Sequence, residues 1–221
     1  MNIHNIIKSI DFFNSLDDDA LKYLSDISIV RSFAKDTIVY YESDLDYSLQ
    51  FLVSGLVKIY KIDKHNNEIF LYNIYENNMI SELTSMDNET IYCFSNASFI
   101  EDGEILSINF KKFKEYFLDT GILASKFINE ILHKTHQLQC ILNRELVFDA
   151  TAKVAHMLHY ELEMLNSSKK TQIAFMLHIQ PETLSRVFKR LIRDGVIEVV
   201  DKKYIIKDEG KLLSIFQGVG L

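Results

Sequence analysis

The chain has 221 residues, 48% of them apolar, with a formal net charge of −7, seven glycines and one proline. That length supports two domains with cores of their own, the acidic balance argues against general nucleic-acid coating, and no apolar run is long enough to predict a membrane span. The opening MNIHNIIKSIDFF is too polar for a secretory signal, and Cys93 and Cys140 form neither a disulfide framework nor a metal-ligand spacing, so the expectation is a cytoplasmic protein with buried free thiols.

Residues 27–108 carry strand-length pieces at 37–41, 49–60, 68–74, 91–94 and 104–108, broken by polar turns. Several short strands with little helix imply a β-barrel or sandwich. Residues 120–144 follow as a helix in which Ala124, Ile128, Ile131, Thr135, Leu138 and Leu142 alternate steps of four and three, the seam of two packed helices. The bland alternative is a helix packed on its own barrel. His133 and His136 lie off that seam, residues 145–148 form a hinge, and a further helix at 150–165 has an apolar face of Val154, Leu158, Leu162 and Leu165. His156 and His159 read as a surface pair, because a metal site needs more convergent ligands.

Residues 171–195, TQIAFMLHIQPETLSRVFKRLIRDG, read as two helices joined by a tight turn at Leu177-His178-Ile179. Ile173, Ala174 and Leu177 give the first helix its buried side, and Ser167 or Ser168 caps it. The second starts at Pro181, where a first helical turn has no use for an N–H. At about 100° per residue, Leu184, Val187, Phe188 and Leu191 gather on one side while Glu182, Ser185, Arg186, Lys189 and Arg193 gather on the other. Arg can grip the O6/N7 edge of guanine with two bonds, and Glu accepts from the cytosine amino group, so Glu182, Thr183, Ser185 and Arg186 are placed to read bases. Lys189, Arg190 and Arg193 suit phosphates. Two short β-rich runs, 196–200 and 204–206, are joined by Asp201-Lys202-Lys203 and predict a wing whose tip brings Lys202 to the DNA backbone. Between Asn166 and Lys203 basic residues outnumber acidic ones, against the balance of the whole chain.

This stretch resembles the winged helix-turn-helix of the Crp/Fnr family of bacterial transcription regulators, with QPETLSR at the start of the recognition helix. Glu182, Ser185 and Arg186 match the Glu-x-x-Ser-Arg pattern of the Fnr and Dnr branches, which read TTGAT-like half-sites. His178 stands where glycine is common, and histidine tolerates a left-handed backbone better than most residues. The resemblance extends upstream: FLVSGLVKIYKIDKHNNEIFLYNI is similar to the family's sensory jelly roll, SELTSM to its ligand-cradling loop, and Gly55 to a turn glycine. Ser43, Asn77, Asn78 and Ser81 replace other glycines of that pattern, and asparagine accepts positive φ at moderate cost.

The resemblance implies an α+β chain: a cyclic-nucleotide-binding-like β jelly-roll sensory domain (1–119), a long dimerisation helix and hinge (120–148), and a winged helix-turn-helix (149–221). It implies double-stranded DNA, a second copy of the chain and RNA polymerase as partners, and no membrane. An effector would sit near Glu82, Leu83, Thr90, Tyr92, His133 and His136. Residues 81–98 contain no Arg or Lys, whereas a phosphate needs donors and positive charge, which argues against cyclic AMP. The absence of cysteines before Cys93 argues against the iron–sulfur centre of Fnr-like sensors. Dnr-like proteins are associated with haem and nitric oxide, so the resemblance leaves the cofactor open with haem as one candidate, His133 or His136 being its axial ligand, beside the much commoner surface or packing role of histidine. No nucleophile elbow, metal motif or phosphate-binding glycine loop points to an enzyme. The runner-up reading is a cyclic-nucleotide or other small-molecule receptor whose C-terminal helices contact proteins.

Overall fold

The computed structural model describes residues 3–83 and 85–217, which leaves Thr84 of the expected ligand-cradling loop outside. The chain divides into two units, Met1–Thr135 and His136–Leu221.

The first unit opens with α1 (Ile3–Ser9), a 3-10 turn at Asp11–Phe13 and α2 (Asp18–Asp26), whose N-cap Asp17 accepts from the Ala20 N–H at 2.8 Å. The strands follow: β1 (Ser28–Phe33), β2 (Ile38–Tyr40), β3 (Leu45–Asp46), β4 (Ser48–Ser54), β5 (Val57–Ile62), β6 (Glu68–Ile74), β7 (Ile91–Tyr92), β8 (Asn96–Phe99) and β9 (Gly103–Asn109). After them come α3 (Phe110–Phe113), continued by a π-helical turn at Lys114–Leu118, and α4 (Ala124–Leu146), which runs across the division between the units.

The strands pair antiparallel in the orders β2-β8-β5-β6 and β1-β9-β4, with β3-β7 as a separate ribbon. Side chains alternate across a strand, so in β4 Leu52 enters an interior core with Val57, Ile59, Cys93, Phe99 and Ile105. Leu49 and Phe51 turn the other way, into a second core with Ile7, Phe13, Leu24, Phe113 and Phe127 from the surrounding helices.

The expected strand at 49–60 is two strands. Gly55 lies between them at φ +88°, and a Cβ there would stand 2.7 Å from the Asp102 carbonyl oxygen. The turn therefore presses on the start of β9 as only glycine permits. β1, β3 and β8 add to the expected set; β8 is buried at all four positions, so it has no polar–apolar alternation to read. Left-handed backbone occurs at Ser43 and Asn77 but not at Asn78 or Ser81. The Ser81 hydroxyl instead accepts from the Gln50 N–H at 2.9 Å. No helix of the described residues is long and apolar enough to cross a membrane.

The second unit holds α5 (Ala150–Tyr160), α6 (Leu162–Ser167), α7 (Lys170–Met176), α8 (Pro181–Arg193), β10 (Ile197–Val200), β11 (Lys203–Ile206) and α9 (Glu209–Gln217). Asp149 caps α5, its carboxylate accepting from the N–H groups of Thr151 and Ala152 at 2.8 Å each. The expected helix at 150–165 breaks at Glu161, yet Val154, Leu158 and Leu165 remain buried and Leu162 packs against them. They share a core with Ile173, Leu184, Phe188, Leu191 and Ile197.

Three sequence expectations are corrected here. Neither Ser167 nor Ser168 caps α7: the N-cap is Lys169, whose N–H donates to Gln172 Oε1 at 3.0 Å, while the Ser167 hydroxyl donates to the Met164 carbonyl. Cys140 is half-buried rather than buried, with Sγ 3.8 Å from His136 Nδ1. His156 and His159 are not a surface pair, since both rings pack on Tyr160 and Phe216, with His156 also against Phe148.

Burial, followed by the positive charges of Arg144 and His159, pushes His156 down to about 4 from 6.5. The unfolded chain then binds more protons than the folded one between those values. The stability linked to His156 is full above pH 6.5 and is lost as the pH falls toward 4. Thermal melts from pH 7 to 4.5 should show this acid loss, and His156→Phe should flatten it relative to wild type. An unchanged slope in the variant would place the acid sensitivity elsewhere.

Candidate nucleic-acid interface

α7 and α8 form the two helices, and the turn between them runs through His178 at φ +52°. Ile179 N–H donates to the Ala174 carbonyl at 3.0 Å, which closes the turn tightly. Gln180 is the N-cap of α8 and Pro181 its first residue, as the sequence predicts. Leu184, Val187, Phe188 and Leu191 are buried. Glu182, Arg186, Lys189 and Arg193 are exposed, and at 100° per residue they lie within about 60° of one another. Thr183 and Ser185 flank them half-buried, and Arg186 Nη2 donates to Thr183 Oγ1 at 3.1 Å, one turn back.

Two expected phosphate residues have partners within the unit. Arg193 pairs with Asp194 at 3.2 Å, both well exposed. Arg190 donates to the hydroxyl of Thr151 on α5, so its guanidinium turns away from the Glu182–Arg186 face toward the flank of α8.

The wing is present. β10 and β11 pair antiparallel from Ile197↔Ile206 to Val200↔Lys203, and the linking Asp201 and Lys202 have φ of +50° and +65°. Two consecutive left-handed residues match the tight hairpin turns that suit strand twist, and they leave Lys202 exposed at the tip. Phe188 stacks on Tyr204 at 4.2 Å, and Asn166 brackets the Tyr204 backbone, accepting from its N–H at 2.8 Å and donating to its carbonyl at 3.0 Å. Asn166 thus fixes the wing against α6, a role with no sequence signal beyond a polar residue in a helix.

A second feature beyond sequence reach centres on Glu145, near the end of α4. Its carboxylate meets Lys153 Nζ at 2.7 Å, His178 Nδ1 at 3.0 Å and Arg144 Nε at 3.0 Å. Partial burial opposes the effect, but these partners hold the Glu145 carboxyl below the usual glutamate range.

On α4, Ile128, Leu138 and Leu142 stand 57%, 51% and 57% exposed, with Ile131 and Thr135 exposed between them and Ala124 half-buried. A stripe of large apolar side chains facing water is the signature of an absent partner.

The expected effector residues do not gather at one point. The Glu82 carboxylate accepts from the N–H groups of Phe94 and Ser95 at 2.9 and 3.0 Å and from the Ser95 hydroxyl at 2.9 Å. Leu83 packs on the helix-side core, not the barrel interior. Thr90 is half-buried; Tyr92 is exposed, its hydroxyl 3.0 Å from Ser43 Oγ and its ring edge-on to Phe94. His133 and His136 are exposed on α4. An axial haem ligand needs a ring walled by apolar side chains, and the exposed His133 and His136 do not fit that group.

The barrel interior holds polar groups that alternation alone could have flagged. The Tyr40 hydroxyl and Gln50 Oε1 are buried without a hydrogen-bond partner among the described residues. Burial, with the nearby Glu82 charge, raises the Tyr40 phenol well above its usual range, and burial pushes the Cys93 thiol up to about 12. From α4, Lys134 is pushed down to about 8 by burial, against the pull of Glu130 and Glu82. Lys134, a cation that feels the Glu82 charge, thus comes from outside residues 81–98.

Comparison with known proteins agrees with this architecture. Residues 152–215 match the Crp-like helix-turn-helix domain and residues 30–120 the cyclic nucleotide-binding domain. The anaerobic regulatory protein of Bacillus subtilis (strain 168) is 29% identical over 113 residues, 51% of this chain and 47% of that protein. The match therefore spans about half the length of this curated relative. Among solved structures, a mutant of CooA from Carboxydothermus hydrogenoformans superposes with a TM-score of 0.70 at 17% identity, covering 94% of this chain and 93% of that one. FixK2 from Bradyrhizobium japonicum gives 0.67 at 15% identity, covering 88% and 100%. These two likenesses show a shared fold, and together with the two domain matches they lead to one assignment. The chain carries the two domains of a Crp/Fnr-type regulator, a cyclic nucleotide-binding domain followed by a Crp-like helix-turn-helix domain.

Proposed function

We propose that this chain is a sequence-specific DNA-binding regulator that acts as a homodimer on a palindromic, TTGAT-like site. One observation carries the reading: α8 buries one face completely and offers Glu182, Arg186, Lys189 and Arg193 on the other, beside a wing. In such a module the first turns of α8 enter the major groove, and two copies reach half-sites one helical turn, about 34 Å, apart. Glu182, Ser185 and Arg186 read bases; Lys189, Arg193 and Lys202 neutralise phosphates. Arg190 reaches a phosphate only by leaving Thr151.

Selection of bound sequences from a random DNA pool tests this directly. A two-fold symmetric motif supports the reading; enrichment of no motif overturns it. Lys189→Ala should weaken binding evenly across sequences and reduce the salt slope by about one. A changed base preference would reassign Lys189 to base reading.

The proposed signal is a small molecule other than cyclic AMP. Two features support this: residues 81–98 carry no Arg or Lys, and the Glu82 carboxylate already accepts three hydrogen bonds from residues 94 and 95. Likeness to a protein named an anaerobic regulatory protein favours a redox signal, whereas the exposure of His133 and His136 does not favour carriage by haem through them. To act, the effector must bind the DNA-competent and incompetent arrangements unequally. Absorption spectra after haem addition and operator affinity with and without cyclic AMP separate these signals. A Soret band shifted by nitric oxide would restore haem, and cyclic AMP-dependent binding would reverse the exclusion.

A further inference from the structure

We infer that Glu145, Lys153 and His178 form a positioning latch that ties the turn of the helix-turn-helix to the last turn of α4, so that α4 sets the spacing at which a dimer presents its two α8 helices. This rests on the DNA-reading proposal above. Glu145 is the second-last residue of α4, and its Oε2 meets both Lys153 Nζ at 2.7 Å and His178 Nδ1 at 3.0 Å. Lys153 also donates to the Leu177 carbonyl at 3.3 Å, so its ammonium bridges the end of α4 and the backbone of the turn. Pro181, the first residue of α8, lies three residues beyond His178.

Two features distinguish this cluster from ordinary surface pairing. Lys153 is 7% exposed, and a buried ammonium without its carboxylate is strongly unfavourable, so the bridge cannot open and close freely. His178 holds a left-handed backbone that glycine adopts at no steric cost, yet it carries a ring that reaches Glu145 Oε2, a contact glycine could not make. The covalent link from α4 to α5 runs through residues 147–149, where Val147 is 72% exposed and Phe148 packs on His156 and Phe216, so the Glu145 cluster adds a second tie, to the turn before α8, that this link does not make. The charged groups around the His178 ring are Glu145 and, on the same carboxylate, Lys153 and Arg144.

The test uses the full chain, the selected palindrome, versions with the half-sites moved by one or two base pairs, and a single half-site. Glu145→Gln and His178→Gly should each lower affinity at the natural spacing by about tenfold and flatten the preference among spacings. Half-site affinity should hold. Because both residues serve one latch, the double variant should lose no more than the larger single loss. His178→Gly also relieves backbone strain, so its thermal midpoint should stay level or rise, which separates positioning from misfolding. A spacing preference unchanged in His178→Gly, or losses that simply add in the double variant, would overturn the latch. Failure of the wild type to select any DNA would instead overturn the regulator reading on which the latch depends.

Discussion

Arg186→Ala should cost about 1–3 kcal/mol of discrimination at one base position and leave thermal stability unchanged. The side chain is exposed on α8, so its removal opens no cavity in the core below. What it removes is a planar fork of donors that matches the guanine O6/N7 edge. The fork is partly placed already: Nη2 donates to Thr183 Oγ1 at 3.1 Å, which restricts a long side chain whose ordering would otherwise oppose binding. Affinities for operators changed singly at each position give the measurement. In the wild type one position should stand out that becomes tolerant in the variant. A loss equal on every sequence would make Arg186 a phosphate contact. Thr183→Val should show a smaller effect at the same position, because the guanidinium remains but its prior placement is lost.

How much of this was legible depended on whether a residue's partners lie close along the chain. α8 was readable because its 13 residues carry two opposed faces at helical period and a proline marks its start. The α4 stripe was readable for the same reason. Short strands buried on both sides were not, because neither Asn96–Phe99 nor the two-residue Leu45–Asp46 has room for an alternation. The α7 cap was misplaced by one or two residues, since Ser167 and Ser168 offer the right hydroxyl while the backbone turns into the helix only at Lys169. Long-range polar partners were beyond reach. In sequence Glu145 falls in the hinge, His178 in the tight turn and Lys153 in a helix between them, and only folding brings Lys153 and His178 to the Glu145 carboxylate. The expected effector set rested on resemblance to a ligand-cradling loop, which says nothing of side-chain direction: the β3-β7 ribbon leaves the Tyr92 ring exposed, while Tyr40 and Gln50 point polar atoms into the barrel.

Leu138→Glu should have the largest effect on DNA binding while touching no base. Leu138 sits in the middle of the α4 stripe and is half-exposed in the isolated chain, so a charged replacement costs the monomer fold little. In a two-helix seam the same change would bury a carboxylate opposite its symmetry mate, where an unpaired charge is strongly disfavoured. Sedimentation should therefore show a monomer. The consequence for the operator is larger than one interface residue suggests: two tethered reading heads gain about 10²–10⁴ in avidity over either alone. Palindrome affinity should fall by that factor toward the affinity for a single half-site, which should itself stay unchanged. The thermal midpoint of the monomer should not depend on protein concentration, whereas that of the wild-type dimer should. A variant that remains dimeric, with palindrome affinity intact, would remove α4 as the seam and return its exposed leucines and isoleucines to some other partner.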